Sequence, residues 1–172
     1  STLTEEGITN FSGVPDSLLK NICSYISDNT LPSQHLITSN EGSAIALAVG
    51  QYISTGQPSL VYMQNSGFGN AINPLLSLAD YKVYGVPMLV MVGWRGEPGV
   101  KDEPQHIKQG AVMERLLEAC GLPTIIIGPE TTNIKEVLRS AVALTITNNH
   151  PVVLLVKKDT FGFYKFENSR YD

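Results

Sequence analysis

The stretch ITSNEGSAIALAVGQYISTG holds one charged side chain, Glu41. Across residues 29–79 it is the only Asp, Glu, Lys or Arg, in a chain that is 16% charged. A carboxylate at a helix start gains about 0.3–1 kcal/mol from the macrodipole, which alone would justify a Glu there. The two helical patterns that follow, GSAIALAVGQYIST and NAINPLLSLA, have no charged face. Helices apolar nearly all round are buried on both sides, so their outer side is expected to meet another chain or domain. Glu41 would then lie at the edge of that interface, in a site largely closed to water. Burial there would raise its pKa and the helix N-terminus would lower it; a carboxyl between the two suits proton shuttling.

Three other stretches offer chemistry. The loop WRGEPGVKDEPQH, residues 94–106, gathers Arg95, Lys101 and His106 with acidic neighbours, stiffened by Pro98 and Pro104. Its cations suit a di- or trianionic substrate, and His106 an acid near neutral pH, although a solvated charged loop would read the same way. In GVPDS, residues 13–17, Asp16 or Ser17 is an expected N-cap; alternatively Ser17 and the free amides behind it receive an anion. QNSGFGN, with Asn65, Ser66, Gly67 and Gly69, lacks both a dinucleotide fingerprint and a P-loop lysine, so its glycines fit close backbone approach across an interface better. The three histidines are scattered, and no metal site is expected.

These residues need a frame. Apolar runs at 59–64, 88–93, 124–127 and 152–156, with shorter ones at 8–12 and 35–38, read as strands. Several are apolar throughout, as parallel strands covered on both faces are. Helical patterns at 17–27, 42–55, 70–80, 107–120 and 134–148 separate them, long enough for parallel crossovers. The expected fold is α/β, a three-layer α/β/α sandwich with about six parallel strands. In such sheets ligands bind at the carboxyl ends of the strands, where all four stretches fall.

The length of 172 residues fits one domain. A formal charge of −4 offers no field for nucleic acid, and no run approaches the ~20 apolar residues of a membrane span. No basic-then-apolar leader is visible, so a cytoplasmic location is expected. Cys23 and Cys120 lie far apart in helical patterns and read as reduced, buried thiols.

The segments FSGVPDSLL, ITSNEGSAIALAVGQYISTG, VYMQNSGFGNAINPLLSL, VPMLVMVGWRGEPGVKDEPQH and GAVMERLLEACG resemble the pyrimidine-binding domain of thiamine-diphosphate-dependent decarboxylases. Within these the likeness is to phosphonopyruvate decarboxylases, and it runs from about residue 10 to 161. The Glu-Gly helix start and the Asn-Ser-Gly-x-Gly-Asn loop are shared across the decarboxylases; the GWRGEPG loop is more specific.

The resemblance implies a thiamine-diphosphate-binding fold and a role for each matching position. Glu41 would hydrogen-bond the cofactor's aminopyrimidine and promote proton loss from its thiazolium ring. Asp16 and Ser17 would face the substrate, Gln105 and His106 would border the active site, and Arg95 and Lys101 would meet the phosphonate. The implied reaction converts 3-phosphonopyruvate to phosphonoacetaldehyde and CO2. The diphosphate and Mg2+ of this family are held in a second domain through a Gly-Asp-Gly motif, which is absent here. Residues 1–162 are therefore expected to be the pyrimidine domain and 163–172 the start of a linker, in an excised domain inactive by itself. Its partner would be the diphosphate-binding domain of the same or a neighbouring subunit, in a homodimer or larger assembly. Two alternatives stand beside this: a subunit of a sulfopyruvate-type or other 2-oxoacid decarboxylase, and a non-catalytic α/β assembly module.

Overall fold

The computed structural model describes residues 2–167. In chain order the elements are α1 (Thr2–Glu5), β1 (Asn10–Gly13), α2 (Lys20–Asn29), β2 (His35–Ile37), α3 (Glu41–Thr55), β3 (Ser59–Gln64), a 3-10 turn (Asn65–Gly67), α4 (Phe68–Pro74), a π turn (Leu75–Ala79), β4 (Met88–Gly93), α5 (Pro104–Ala119), β5 (Thr124–Ile127), α6 (Ile134–Asn148) and β6 (Pro151–Val156). The six strands form one sheet in the order β2-β1-β3-β4-β6-β5, with every pairing parallel. The expected α/β/α sandwich is the observed fold.

All six residues of β4 and of β6 are buried, which explains their unbroken apolar sequences. Side chains alternate between two cores. Val61, Met63, Val90, Val92 and Val153 join α3, α4 and α5 in one. Leu60, Tyr62, Leu89, Met91 and Leu154 join α1, α2 and α6 in the other. The chain lays β2 on one side of β1 and β3 on the other, so the carboxyl ends of β1 and β3 flank a switch in winding direction. Helix α3, which crosses that switch, begins at Glu41.

Three helix starts differ from the sequence expectation. Helix α2 begins at Lys20, not Ser17, and its N-cap position is Leu19 with no side-chain cap, so neither Asp16 nor Ser17 caps it. Helix α4 begins at Phe68 and passes into the π turn after Pro74. Proline has no N–H to give the carbonyl of Asn70, and that carbonyl lies against Gly42, where a β-carbon would be 2.7 Å from it. Helix α5 begins at Pro104, so Gln105 and His106 belong to its first turn rather than to the preceding loop. Proline at the first helical position loses only a hydrogen bond that the helix could not make.

The described part of the expected linker, residues 163–167, runs along α2 without joining the sheet. Tyr164 N donates to Asn21 Oδ1 at 3.3 Å, and the Tyr164 ring stands edge-on to Tyr25. The rest of that expected linker, 168–172, lies outside the described residues.

Candidate active site

Glu41 opens α3 without capping it. The cap is Asn40, whose Oδ1 accepts from Ser43 N at 2.9 Å, so the Glu41 carboxyl is free to turn elsewhere. It turns across to the start of α4, where Asn70 Nδ2 donates to Oε2 at 2.9 Å. The other oxygen rests over Gly67, and a β-carbon at that position would overlap the carboxyl. Glu41 Oε1 has no hydrogen-bond partner among the described residues. The carboxylate is thus half-buried, with one oxygen held and the other open. Sequence reasoning placed Gly67 here but overlooked Asn70, whose only signal was its place at the end of the NSGFGN loop.

Asn65 and Arg95 join this cradle to the next loop. Asn65 Nδ2 donates to Arg95 O at 2.8 Å, and its Oδ1 accepts from Arg95 N at 3.1 Å. Asn65 is buried, and this two-way bond ties the carboxyl end of β3 to that of β4. Its side chain is thus committed inside the chain. Beside it Gln64 Nε2 bonds Ser66 Oγ at 2.6 Å and lies 3.4 Å from His106 Nδ1. Ser66, Gly69 and Gln105 are exposed, and His106 is half-buried.

The 94–106 loop is organised by Asp102. Its carboxylate takes Arg95 Nε at 2.8 Å and Arg95 Nη2 in a bidentate pair, together with the amides of Gly96 at 2.8 Å and Glu103 at 2.7 Å. The Arg95 guanidinium first, then these amides, holds the Asp102 carboxyl well below the usual carboxylate range. Arg95 Nη1 donates to Ser17 Oγ at 2.8 Å. The loop is pinned to α5 through Gly96, whose left-handed backbone lies against His106 O; Gly110 meets Gly96 O with no room for a side chain at either glycine. Trp94 Nε1 completes the seam with a bond to Gly110 O at 3.0 Å.

Asp16 is 5% exposed, and neither carboxyl oxygen has a hydrogen bond of good geometry. The amides of Leu18, Leu19 and Ser17 face it without closing such a bond, and Leu19 N donates to the Asp16 backbone carbonyl at 3.1 Å. Gly93 makes room for it at the end of β4. Burial pushes the Asp16 carboxyl up, against the opposing pull of those amides and of Arg95. Burial and the Asp16 charge push the nearby Cys23 thiol up to about 12. Cys23 and Cys120 are both free and half-buried.

Two clusters therefore sit at the carboxyl ends of the strands. One holds Glu41, Asn70 and Gly67. The other is a cavity of about 270 Å³ whose lining includes Ser17, Trp94, Arg95, Lys101 and Lys158. The hydrogen bonds of the Asn65 side chain to the Arg95 backbone tie together the strand ends that carry them. Among the described residues no three His, Cys, Asp or Glu converge as metal ligands, and no helix is long and apolar enough to cross a membrane.

Residues 1–113 match the family described as thiamine pyrophosphate enzyme, N-terminal TPP binding domain. The chain is 37% identical over 131 residues to a phosphonopyruvate decarboxylase of Streptomyces viridochromogenes, covering 76% of this chain but only 32% of that protein. It is 31% identical over 155 residues to the sulfopyruvate decarboxylase subunit alpha of Methanococcus maripaludis, covering 90% of this chain and 89% of that subunit. In fold it is similar to benzoylformate decarboxylase from Polynucleobacter necessarius, with a TM-score of 0.67 at 18% identity over 97% of this chain and 31% of the other. The chain belongs to the thiamine pyrophosphate enzymes, as a member of their N-terminal TPP-binding domain family.

Proposed function

We propose that this chain is the pyrimidine-binding part of a decarboxylase that converts 3-phosphonopyruvate to phosphonoacetaldehyde and CO2, with Glu41 as the residue that handles the cofactor's proton. The observation that carries the proposal is the Glu41 cradle: Oε2 held by Asn70, Oε1 open, and a glycine beneath it where a side chain would fill the site. Those residues fit the flat, nitrogen-bearing end of thiamine diphosphate. When bound, the cofactor supplies an electron sink for the carbon that loses CO2. Glu41 orients the ring and exchanges a proton at Oε1, and Asn70 keeps the carboxyl from rotating. Ser17, Arg95, Lys101, Gln105 and His106 border the substrate. Asp16, buried behind Ser17, shapes that corner. The diphosphate and Mg2+ belong to the second domain.

That domain, from the same or another subunit, and a second copy of this one are the proposed partners. Gly50 and Gly69 sit within helices where a β-carbon would meet nothing within 4 Å. Glycine inside a helix costs about 1 kcal/mol relative to alanine, and no contact within the chain requires either one. Close approach of another backbone over this uncharged face accounts for both.

A second reading is favoured by one comparison. The likeness to the sulfopyruvate decarboxylase subunit alpha extends over nearly the full length of that protein, which fits a subunit of a two-chain, sulfonate-specific enzyme. CO2 release by the chain combined with its diphosphate-binding domain, thiamine diphosphate and Mg2+ separates the two. A kcat/KM for 3-phosphonopyruvate at least about tenfold above that for sulfopyruvate is expected. The reverse preference establishes the second reading, and no release from any 2-oxoacid contradicts both.

A further inference from the structure

The 94–106 loop carries two cations, and their states differ. Arg95 is committed: its Nε and Nη2 are paired with Asp102, and its Nη1 with Ser17. A guanidinium with a bidentate carboxylate partner has little net charge left for a ligand. Lys101, on the wall of the same cavity, is exposed and has no ion pair among the described residues. At the end of β6 the same division recurs. Lys157 is held by Glu130 at 3.0 Å and Glu97 at 3.6 Å, while Lys158 lines the cavity, exposed and unpaired among the described residues. Asp159 is also on the wall, so the charged lining is Arg95, Lys101 and Lys158 against Asp102 and Asp159, one positive charge in excess. Neutral donors are present in Ser17 and Asn21, and Trp94 and Phe161 supply apolar surface. Pockets for drug-sized ligands run from about 300 to 1,000 Å³, so about 270 Å³ suits a small acid better.

We propose that this cavity is the subsite for the tetrahedral anionic group of the substrate, phosphonate or sulfonate, and that Lys101 and Lys158 recognise its charge while Arg95 positions Ser17 and the loop. The proposal rests on the decarboxylase function proposed above and assigns its specificity. Lys158 reaches the cavity from a part of the chain with no motif around it. The anion meets two mobile ammonium groups in place of a rigid fork, and the Arg95–Asp102 pair keeps its internal bonds whether or not an anion is present.

Trp94 is the only tryptophan in the sequence and lines the cavity, so its fluorescence reports on occupancy. Titration of this chain with phosphonoacetate, and separately with sulfoacetate, is expected to give a saturable change with at least one of them. Acetate at the same concentration should give none. Lys101→Gln and Lys158→Gln should each weaken the binding about tenfold, the scale of one charge-assisted hydrogen bond, while Lys108→Gln leaves it unchanged. In the assembled enzyme the two lysine variants should raise KM for the tetrahedral-anion substrate about tenfold and leave KM for pyruvate within about twofold. No saturable change with either anion, or binding indifferent to both lysine variants, overturns the proposal. The titration needs neither cofactor nor turnover, so its failure leaves the role of Glu41 standing, and loss of that role leaves the titration valid.

Discussion

The carboxyl of Glu41 occupies the space above Gly67 that a β-carbon would fill. The backbone of Gly67, at φ −85° and ψ −9°, is one that any residue adopts, so the glycine is required by the Glu41 side chain and not by the turn. Gly67→Ala should therefore displace the carboxyl while leaving the fold intact. In the complete enzyme we expect kcat to fall by about 100-fold or more, with the melting temperature of the chain changing by less than about 3 °C. Full activity in that variant would mean that the position of the carboxyl is unimportant.

Gly69, two residues on, gives the opposite expectation. Nothing lies within 4 Å of a β-carbon there. Gly69→Ala should stabilise the isolated chain by about 0.5–1 kcal/mol through helix propensity. If another domain covers this face, the same change weakens assembly of the complete enzyme, which sedimentation would detect. Unaltered assembly would place the partner elsewhere.

Asp16 is a carboxylate kept at a cost. Its folded pKa is raised, so the charged form is disfavoured by folding: the penalty is absent below the unfolded pKa and reaches its full size above the folded one. Asp16→Asn should raise the melting temperature at pH 7 by about 3 °C, and the gain should disappear as the pH falls through the folded pKa of Asp16. Lower activity with higher stability would identify Asp16 as a residue retained for function. A destabilised variant would show that the charge is compensated.

Asp102 has the reverse sign. Its folded pKa is depressed, so its contribution is present above the unfolded pKa and is lost as the pH falls through the folded one. Asp102→Asn should cost about 2 kcal/mol at pH 7, because Arg95 loses its partner and two amides lose a charged acceptor. Denaturant melts carried from pH 7 down past the folded pKa of Asp102, which lies well below the ordinary carboxylate value of about 4, should show the difference begin to shrink below about pH 4 and the two proteins converge at the acid end. A constant difference across that range would mean that charge is not what Asp102 contributes.

Much of the frame was legible because buried parallel strands are written as unbroken apolar runs. The segments 59–64, 88–93 and 124–127 were read with their observed limits, as was the last helix, 134–148. The helix starts were less legible. Asp16 turns its carboxyl toward the amides that a cap would serve, and no local pattern announces that. The start of α5 was available from Pro104, which suits a first helical position, and would have put Gln105 and His106 on the helix. Within the site, Glu41 stands isolated in sequence and opens α3, the helix that crosses the switch in strand order. The commitment of Asn65 to Arg95, thirty residues away, depends on adjacent strand ends and has no local signature. For the same reason the sequence ranked Arg95 with Lys101 as a free cation, although Asp102 neutralises it in the fold.

The central claim is that Glu41 Oε1 exchanges the cofactor's proton, and deuterium exchange at the thiazolium carbon measures that step apart from decarboxylation. In the enzyme assembled with its diphosphate-binding domain, thiamine diphosphate and Mg2+, Glu41→Gln should slow the exchange by at least about 100-fold, within the range of general acid–base effects, while thiamine diphosphate still binds. Exchange at the wild-type rate in Glu41→Gln would contradict the account.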